Sequence, residues 1–338
     1  MKSFFQALDH ILDKTVLFGY DRVGYYLRRP LWEESETDVS LKGKIALVTG
    51  ANSGLGRATA EALALRGARV YLLCRNRERG DAARTQIVQA TGNEDVHLEL
   101  ADLASQKQIR AFAEDFQKRE PRLDILVNNA GILPDERSLT EDGIESTFAV
   151  NTLAYFLLTN LLSPALEVAD GARVINVSSG GQYLADLDVN DLQFAQGQFD
   201  GTKAYAATKR AELLLTLIWS DWYRERGVLV FGMHPGWADT PAVQTSLPTF
   251  RAIMQLTLRT PAEGADTIVW LCANPKLGAA ESGGFFFDRR ARPIIRVEKT
   301  RNSPEEVASL WRQCAELTNY EGPIKPDAEA FERAASRE

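Results

Sequence analysis

KIALVTGANSGLGRATA, residues 44–60, decides the fold. Its first seven residues are an apolar run ending in glycine, the pattern of a strand buried on both faces. The remainder reads as a tight turn opening a helix that runs through Arg66. Gly50, Gly54 and Gly56 lack the Cβ that would keep a pyrophosphate from the backbone, and a helix N-terminus offers amide hydrogens to it. The candidate contacts of such a dinucleotide turn are Gly50, Ser53, Gly54, Leu55 and Gly56. The spacing is G-x-x-x-G-x-G rather than the commoner G-x-G-x-x-G. A glycine-rich turn alone is weak evidence, and an ordinary turn is the alternative.

The pattern on either side strengthens the dinucleotide reading. Strands at 68–74, 96–100, 123–129, 172–179, 227–233 and 283–288 alternate with helices at 79–91, 105–118, 151–167, around Tyr205, and at 261–273. Strands separated by helices of this length form βαβ units, and right-handed crossovers place helices on both faces. The fold class expected is α/β, a doubly wound parallel sheet of the Rossmann type in a single domain over 41–300. An N-terminal amphipathic extension and linker over 1–40 and a C-terminal helix and tail over 301–338 complete the chain. Ser303, Pro304 and Glu306 form a capping-box start for that last helix.

The bulk composition narrows the function. A net charge of −7 argues against nucleic acid as a partner, since phosphate binding wants surplus Lys and Arg. The basic stretch RRARPIIRVEKTR, 289–301, reads as a solvated connector. Cys74, Cys272 and Cys314 show no disulfide framework, which suits a reducing, cytoplasmic compartment. His10, His97 and His234 offer no metal-ligand spacing, so no metal is expected. Asp9, His10, Asp13 and Lys14 interrupt the apolar core a signal peptide needs, and no stretch is long enough for a transmembrane helix. Phe4, Phe5, Leu8, Ile11, Leu12 and Val16 recur at helical spacing. That stripe packs on its own domain or a second subunit, or makes a peripheral contact with a membrane surface. Acidic residues on its polar face weaken the membrane version.

Two positions bear on chemistry. The second strand ends in Cys74 and Arg75, where an Asp would read the ribose hydroxyl of NAD. A guanidinium there matches a phosphate and favours NADP(H), unless Arg75 is merely a surface residue. KAYAATKR, 203–210, sets Tyr205 and Lys209 one helical turn apart on one face.

With these pieces placed, the chain resembles the short-chain dehydrogenase/reductase family. TGANSGLG matches its cofactor turn, NNAG (128–131) its fourth-strand motif, VINVSS and YAATK (205–209) its active-site segments, and HPGWADT (234–240) its P-G motif. The resemblance covers Gly43 to Asp288, and the layout with a C-terminal helix is similar to the retinol dehydrogenase-like branch. It implies an NADP(H)-dependent oxidoreductase that interconverts a carbonyl and an alcohol, with Tyr205 as general acid/base and Lys209 as its electrostatic partner. By the same match Ser179, rather than its neighbour Ser178, meets the substrate oxygen, and Asn151 holds a water in a relay to Lys209. Asp102 and Leu103 fall on the adenine side, Asn129, Ala130 and Gly131 along the dinucleotide, and Pro235, Gly236 and Thr240 facing the nicotinamide. Tyr205 and Lys209 also count as cofactor contacts. Trp237 stands where many relatives carry a smaller residue. Two segments are expected to form the pocket for a small apolar carbonyl or alcohol substrate, 180–202 and 241–259. The first carries Tyr183, Leu187, Leu192, Phe194 and Phe199, which could equally be ordinary packing. A homo-oligomer through the helix of Tyr205 is a further implication. The competing function is a catalytically silent NADP(H)-binding sensor or scaffold acting through the N-terminal helix.

Overall fold

The computed structural model describes residues 2–14 and 16–337, with side chains at all of these except 2–6, 14, 16, 17 and 242. Eight strands form one sheet: β1 Ile45–Thr49, β2 Arg69–Cys74, β3 Val96–Leu100, β4 Ile125–Asn128, β5 Arg173–Val177, β6 Leu229–Met233, β7 Phe285–Phe287 and β8 Arg290–Arg292. Their order is β3-β2-β1-β4-β5-β6-β7-β8, parallel throughout except the antiparallel β7–β8 pair. The chain reverses from β1 toward β4 on the opposite side from β2, so a crevice opens at the carboxyl ends of these strands.

Among the described residues, fifteen α-helices surround the sheet. In the N-terminal extension lie α1 Lys2–Lys14, α2 Val16–Gly19 and α3 Arg22–Arg28. The crossovers contain α4 Gly54–Leu65, α5 Arg77–Thr91, α6 Gln106–Arg119, α7 Ser146–Phe148, α8 Ala154–Leu161, α9 Ser163–Val168 and α10 Gly201–Trp222. After β6 come α11 Pro241–Ser246, α12 Pro248–Met254 and α13 Pro261–Ala273, and the chain ends in α14 Pro304–Leu317 and α15 Ala328–Ser336. One face of the sheet is buried under α6, α8, α10 and α14, the other under α4, α5 and α13. The doubly wound α/β fold expected from the alternation is the fold observed.

Four local differences have physical causes. The helix expected over 151–167 begins at Ser146, widens into a π-turn over Ala149–Leu153, and breaks at Leu162 ahead of Pro164. The strand expected at 283–288 continues through a two-residue turn into β8, with Asp288 and Arg289 at φ of 50° and 58°. Left-handed residues in such a turn are ordinarily Asn or Gly, so the sequence carries no hairpin signal. The helix that carries Tyr205 is covered by the chain's own α14 and α15, with Trp219 and Tyr223 fully buried.

The fourth difference corrects the reading of residues 289–301 as a solvated connector. Arg289 pairs with Asp266 at 2.6 Å, Arg292 with Asp9 at 2.7 Å, Arg290 with Asp9 at 3.0 Å, and Arg296 with Asp13 at 2.6 Å. Arg28 bridges Asp9 at 2.6 Å and Asp288 at 2.8 Å, and Arg259 holds the same Asp288 at 2.6 Å. Arg28, Arg259 and Asp288 are 1% exposed. The acids that interrupt the N-terminal apolar stripe therefore anchor the extension to the β7–β8 hairpin. Of the stripe itself, Leu12 is buried, Leu8 is half-buried and Ile11 is exposed. The side chains of Phe4, Phe5 and Val16 lie outside the described residues.

Removing one partner of a buried ion pair leaves an uncompensated charge and destabilises by about 3–5 kcal/mol. Asp9→Asn is expected to undock the extension, read as protease cleavage ahead of Leu41 while the sheet resists. Burial pushes the Asp9 carboxyl up, but Arg292 and Arg28 together hold it below the usual range. Its contribution is thus complete above pH ~4, the ordinary value, and is lost as pH falls through the lower folded value. Acid-dependent cleavage in the wild type, absent in Asp9→Asn, checks the sign.

Candidate active site

The glycine turn lies at the end of β1. Gly50 and Gly54 have φ of 64° and 53°, and a Cβ on Gly56 would lie 2.5 Å from the Gly50 carbonyl oxygen and the Asn129 side-chain nitrogen. Ser53 is the N-cap of α4 and makes no capping bond with its side chain. Leu55 is half-buried under Gly264. The turn is fastened to β4 by Thr49, whose hydroxyl accepts from the backbone of Asn129 at 2.8 Å and Ala130 at 2.9 Å. The Asn129 side chain donates to the Thr49 carbonyl at 2.8 Å. A cradle without side chains, next to the first turn of a helix, fits a pyrophosphate.

At the end of β2 the Arg75 side chain is 74% exposed and stands 3.8 Å from the Asp102 carboxylate. Asp102 accepts from the Ala104 amide, whereas Leu103 is buried in the core. Arg79, on the first turn of α5, was not singled out in the sequence; turned to its satisfied orientation, the Asn52 amide oxygen accepts from this guanidinium at 3.2 Å. The turn is thus flanked by two guanidinium groups.

The second cluster is built on α10. Asp200 caps its first amides, and Gly201 lets its start seat on Pro134, whose carbonyl oxygen would lie 2.0 Å from a Cβ. One turn in, the Lys209 ammonium stands 5.5 Å from the Tyr205 ring centroid and 5.4 Å from that of Tyr155. It donates to the Val177 carbonyl at 2.8 Å and to the Glu212 carboxylate at 2.7 Å. Ser178 is buried and donates to the Lys209 carbonyl at 2.7 Å. Ser179 is half-buried, and its oxygen accepts from the Gly181 amide at 3.2 Å, so its O–H hydrogen is left to donate elsewhere. Asn151 sits in the π-turn, accepting from the Ile132 amide at 2.8 Å and donating to the Ile132 carbonyl and the Thr208 hydroxyl. A Cβ on Gly131 would lie 3.3 Å from the Asn151 oxygen and 3.4 Å from the Lys209 nitrogen, so these groups converge there. The four residues expected from the motifs meet at the carboxyl ends of β4 and β5. Glu212 and Tyr155 went unremarked in the sequence, since a Glu on a long helix and a Tyr in an apolar run carry no local signal.

The segment after β6 closes the crevice. Thr240 caps α11 and lies across from Gly54, at 3.6 Å from its Cβ position. Gly236 has φ of 73°, and a Cβ there would meet the Tyr20 carbonyl at 2.5 Å. Tyr20 comes from the N-terminal extension. Its carbonyl accepts from the Trp237 amide at 2.8 Å, and its ring packs on His234 at 4.7 Å and on Phe287 at 5.1 Å. The ring edge would meet a Cβ on Gly180 at 2.6 Å, so the extension reaches the residue after Ser179. Pro235 accepts from Arg259, which fixes the turn before Gly236. Of the pocket residues expected in 180–202, Tyr183, Leu187 and Leu192 are buried in the core instead, with the Tyr183 hydroxyl on the Pro293 carbonyl. Phe194 and Phe199 are half-buried and pack on each other.

Comparison with known proteins gives the chain's relatives. The short chain dehydrogenase family matches residues 44–249. "Dehydrogenase/reductase SDR family member 12" of Bos taurus is 41% identical over 300 residues, 88% of this chain and 93% of that protein. "Retinol dehydrogenase 11" of Mus musculus is 39% identical over 75% of this chain and 80% of that protein. Among solved structures, an uncharacterized protein from Mycobacterium Paratuberculosis superposes with a TM-score of 0.67 at 30% identity, over 84% of this chain and 97% of that one. A short chain dehydrogenase from Escherichia coli CFT073 complexed with NADPH superposes with a TM-score of 0.61 at 28% identity, over 75% of this chain and 99% of that one. On the extent of the family match and the identity of these relatives, the chain belongs to the short-chain dehydrogenase/reductase family.

Proposed function

We propose that the protein is an NADP(H)-dependent oxidoreductase that interconverts a carbonyl and an alcohol on an apolar substrate, with Tyr205 as general acid/base. The observation that carries this reading is the Lys209 ammonium beside the Tyr205 ring, at the mouth of a glycine cradle that fits a dinucleotide. When bound, the cofactor's nicotinamide would supply or accept the hydride. Gly50, Ser53, Gly54, Leu55 and Gly56 would hold the pyrophosphate, Arg75 the ribose phosphate, and Asn129, Ala130 and Gly131 the path between. Asp102 and Leu103 would border the adenine, and Pro235, Gly236 and Thr240 the nicotinamide. A solved relative with bound NADPH supports the choice of cofactor.

The work of the chain's own residues follows from their chemistry. A free phenol loses its proton near pH 10, too high to exchange it readily at neutral pH. The Lys209 ammonium stands where it can balance the negative charge that forms on the Tyr205 oxygen as its proton leaves. The Ser179 O–H donates to the substrate oxygen and holds it within reach of the phenol. Asn151, fixed by Ile132 and Thr208, orders the proton path on the far side of Lys209. Similarity to a retinol dehydrogenase supports an apolar substrate class. Phe194, Phe199 and Trp237 are the apolar side chains nearest this role. Exposed Ile11, Phe18, Val23, Ile253 and Leu256 lie on the extension and on α12 with the residues just after it, joined where the Arg22 amide donates to the Thr257 carbonyl. They support a peripheral contact with a lipid surface beside the site.

Tyr205→Phe removes the proton donor and leaves the cradle, so turnover of apolar aldehydes should fall about 10²- to 10⁴-fold with NADPH affinity retained. NADPH binding with no turnover in either protein would favour the silent sensor instead, and equal measurable rates would remove Tyr205 as the acid. Arg75→Glu places a carboxylate where the phosphate is read, and should lower the NADPH-over-NADH ratio of kcat/KM about tenfold or more. An unchanged ratio would remove Arg75 from cofactor selection.

A further inference from the structure

Glu212 is fully buried, one turn beyond Lys209 on α10, and its carboxylate meets the ammonium at 2.7 Å. Its second oxygen has no hydrogen-bond partner, nor does the buried hydroxyl of Tyr155 from α8. The titratable groups around it are Lys209 on its own helix and Tyr155 on α8, with Tyr205 on the other side of the Lys209 ammonium; β5 contributes the Val177 carbonyl to Lys209 and the uncharged Asn176, and Ser178 follows it. A carboxyl on a core face of a helix is expensive to bury, and an apolar residue would pack there without that penalty. Its placement makes sense through the one group it touches.

We propose that Glu212 is a positioning residue for Lys209: it clamps the ammonium at the end of β5 and governs how much of its positive charge reaches the Tyr205 phenol. The proposal rests on Tyr205 being the acid/base. When Glu212 carries its proton, the Lys209 charge is uncompensated and favours the phenolate. Once Glu212 ionises, the pair is neutral and the phenolate loses that support. Burial, opposed by Lys209, pushes the Glu212 carboxyl up to about 8, which places the change just above neutrality.

The test is an ultraviolet titration of the Tyr205 phenolate in the protein without cofactor or substrate, taken as the difference from Tyr205→Phe. Glu212→Gln keeps the shape and one hydrogen bond but can never ionise. Its Tyr205 midpoint should move to lower pH by about one unit or more, as removal of one nearby buried charge requires. Glu212→Asp, which keeps the charge, should stay closer to the wild type. In the Lys209→Met background the same Gln substitution should move the midpoint little. A midpoint unchanged by Glu212→Gln in a folded protein overturns the proposal. Should that variant not fold, carboxyl carbon resonances of labelled wild type serve instead: one glutamate must titrate near pH 8 and shift upward on Lys209→Met, and a normal acidic midpoint for every glutamate overturns the proposal. Because neither measurement needs turnover, the positioning role and the carbonyl-reducing reading can fail separately.

Discussion

A helix laid on a sheet by apolar contacts alone can slide or roll by a fraction of a turn, and the site tolerates neither. Three hydrogen bonds remove that freedom for α10 on β5: Ser178 to the Lys209 carbonyl, Lys209 to the Val177 carbonyl, and Asn176 to the Thr216 hydroxyl. Asn176 in turn accepts from Asn128 of β4, which also donates to Thr159 of α8. A buried polar chain thus runs from α8 through two strands to the helix that carries Tyr205. Each bond contributes on the order of 1 kcal/mol, but a slipped register would strand several buried polar groups at about 1–3 kcal/mol each. The penalty for the wrong register, more than the gain for the right one, puts Tyr205 and Lys209 opposite Ser179.

The same logic governs the cofactor side. Thr49 gathers two amides and the Asn129 side chain onto the end of β1, so the glycine turn and the NNAG segment form one rigid lip. Across the crevice the P-G segment depends on groups far away in sequence. Arg259 donates to the carbonyls of Asp21 and Pro235 while holding Asp288, so the wall after β6, the N-terminal extension and the β7–β8 turn share one guanidinium. Burial, with Arg259 and Arg292 nearby, holds the His234 imidazole neutral, well below its ordinary value, and its ring stacks on Phe287 at 3.9 Å.

Most of the sheet and the clustering of Asn151, Ser179, Tyr205 and Lys209 were legible in the sequence. Strand and helix periodicities are local signals, and the motifs sit where a parallel sheet must bring them together. What was illegible depends on contacts between distant segments. The basic run at 289–301 looks solvated because the partners of Arg289, Arg290, Arg292 and Arg296 are Asp266, Asp9 and Asp13, all distant in sequence. The β8 turn has no glycine because ion pairs hold Asp288 and Arg289 in left-handed geometry. Tyr183, Leu187 and Leu192 have the composition of a pocket and the burial of a core, a choice that composition cannot make. Glu212 is legible only beside Lys209, once the helix is known to be covered on every side.

The ion pairs that dock the N-terminal extension also impose an order in time. Asp9 is 281 residues from Arg290, and Asp13 is 283 from Arg296. At a synthesis rate of roughly 5–20 residues per second, the extension leaves the ribosome roughly 15–55 s before its partners exist. Throughout that interval Asp9 can pair with Arg28, but Arg290 and Arg292, which complete its dock, and Arg296, the partner of Asp13, are not yet made. Tyr20 has no Phe287 to pack against until the last hairpin has been made. The wall of the crevice that comes first in the chain is therefore the last to be set, and until then the same apolar segment is available to a chaperone or a lipid surface.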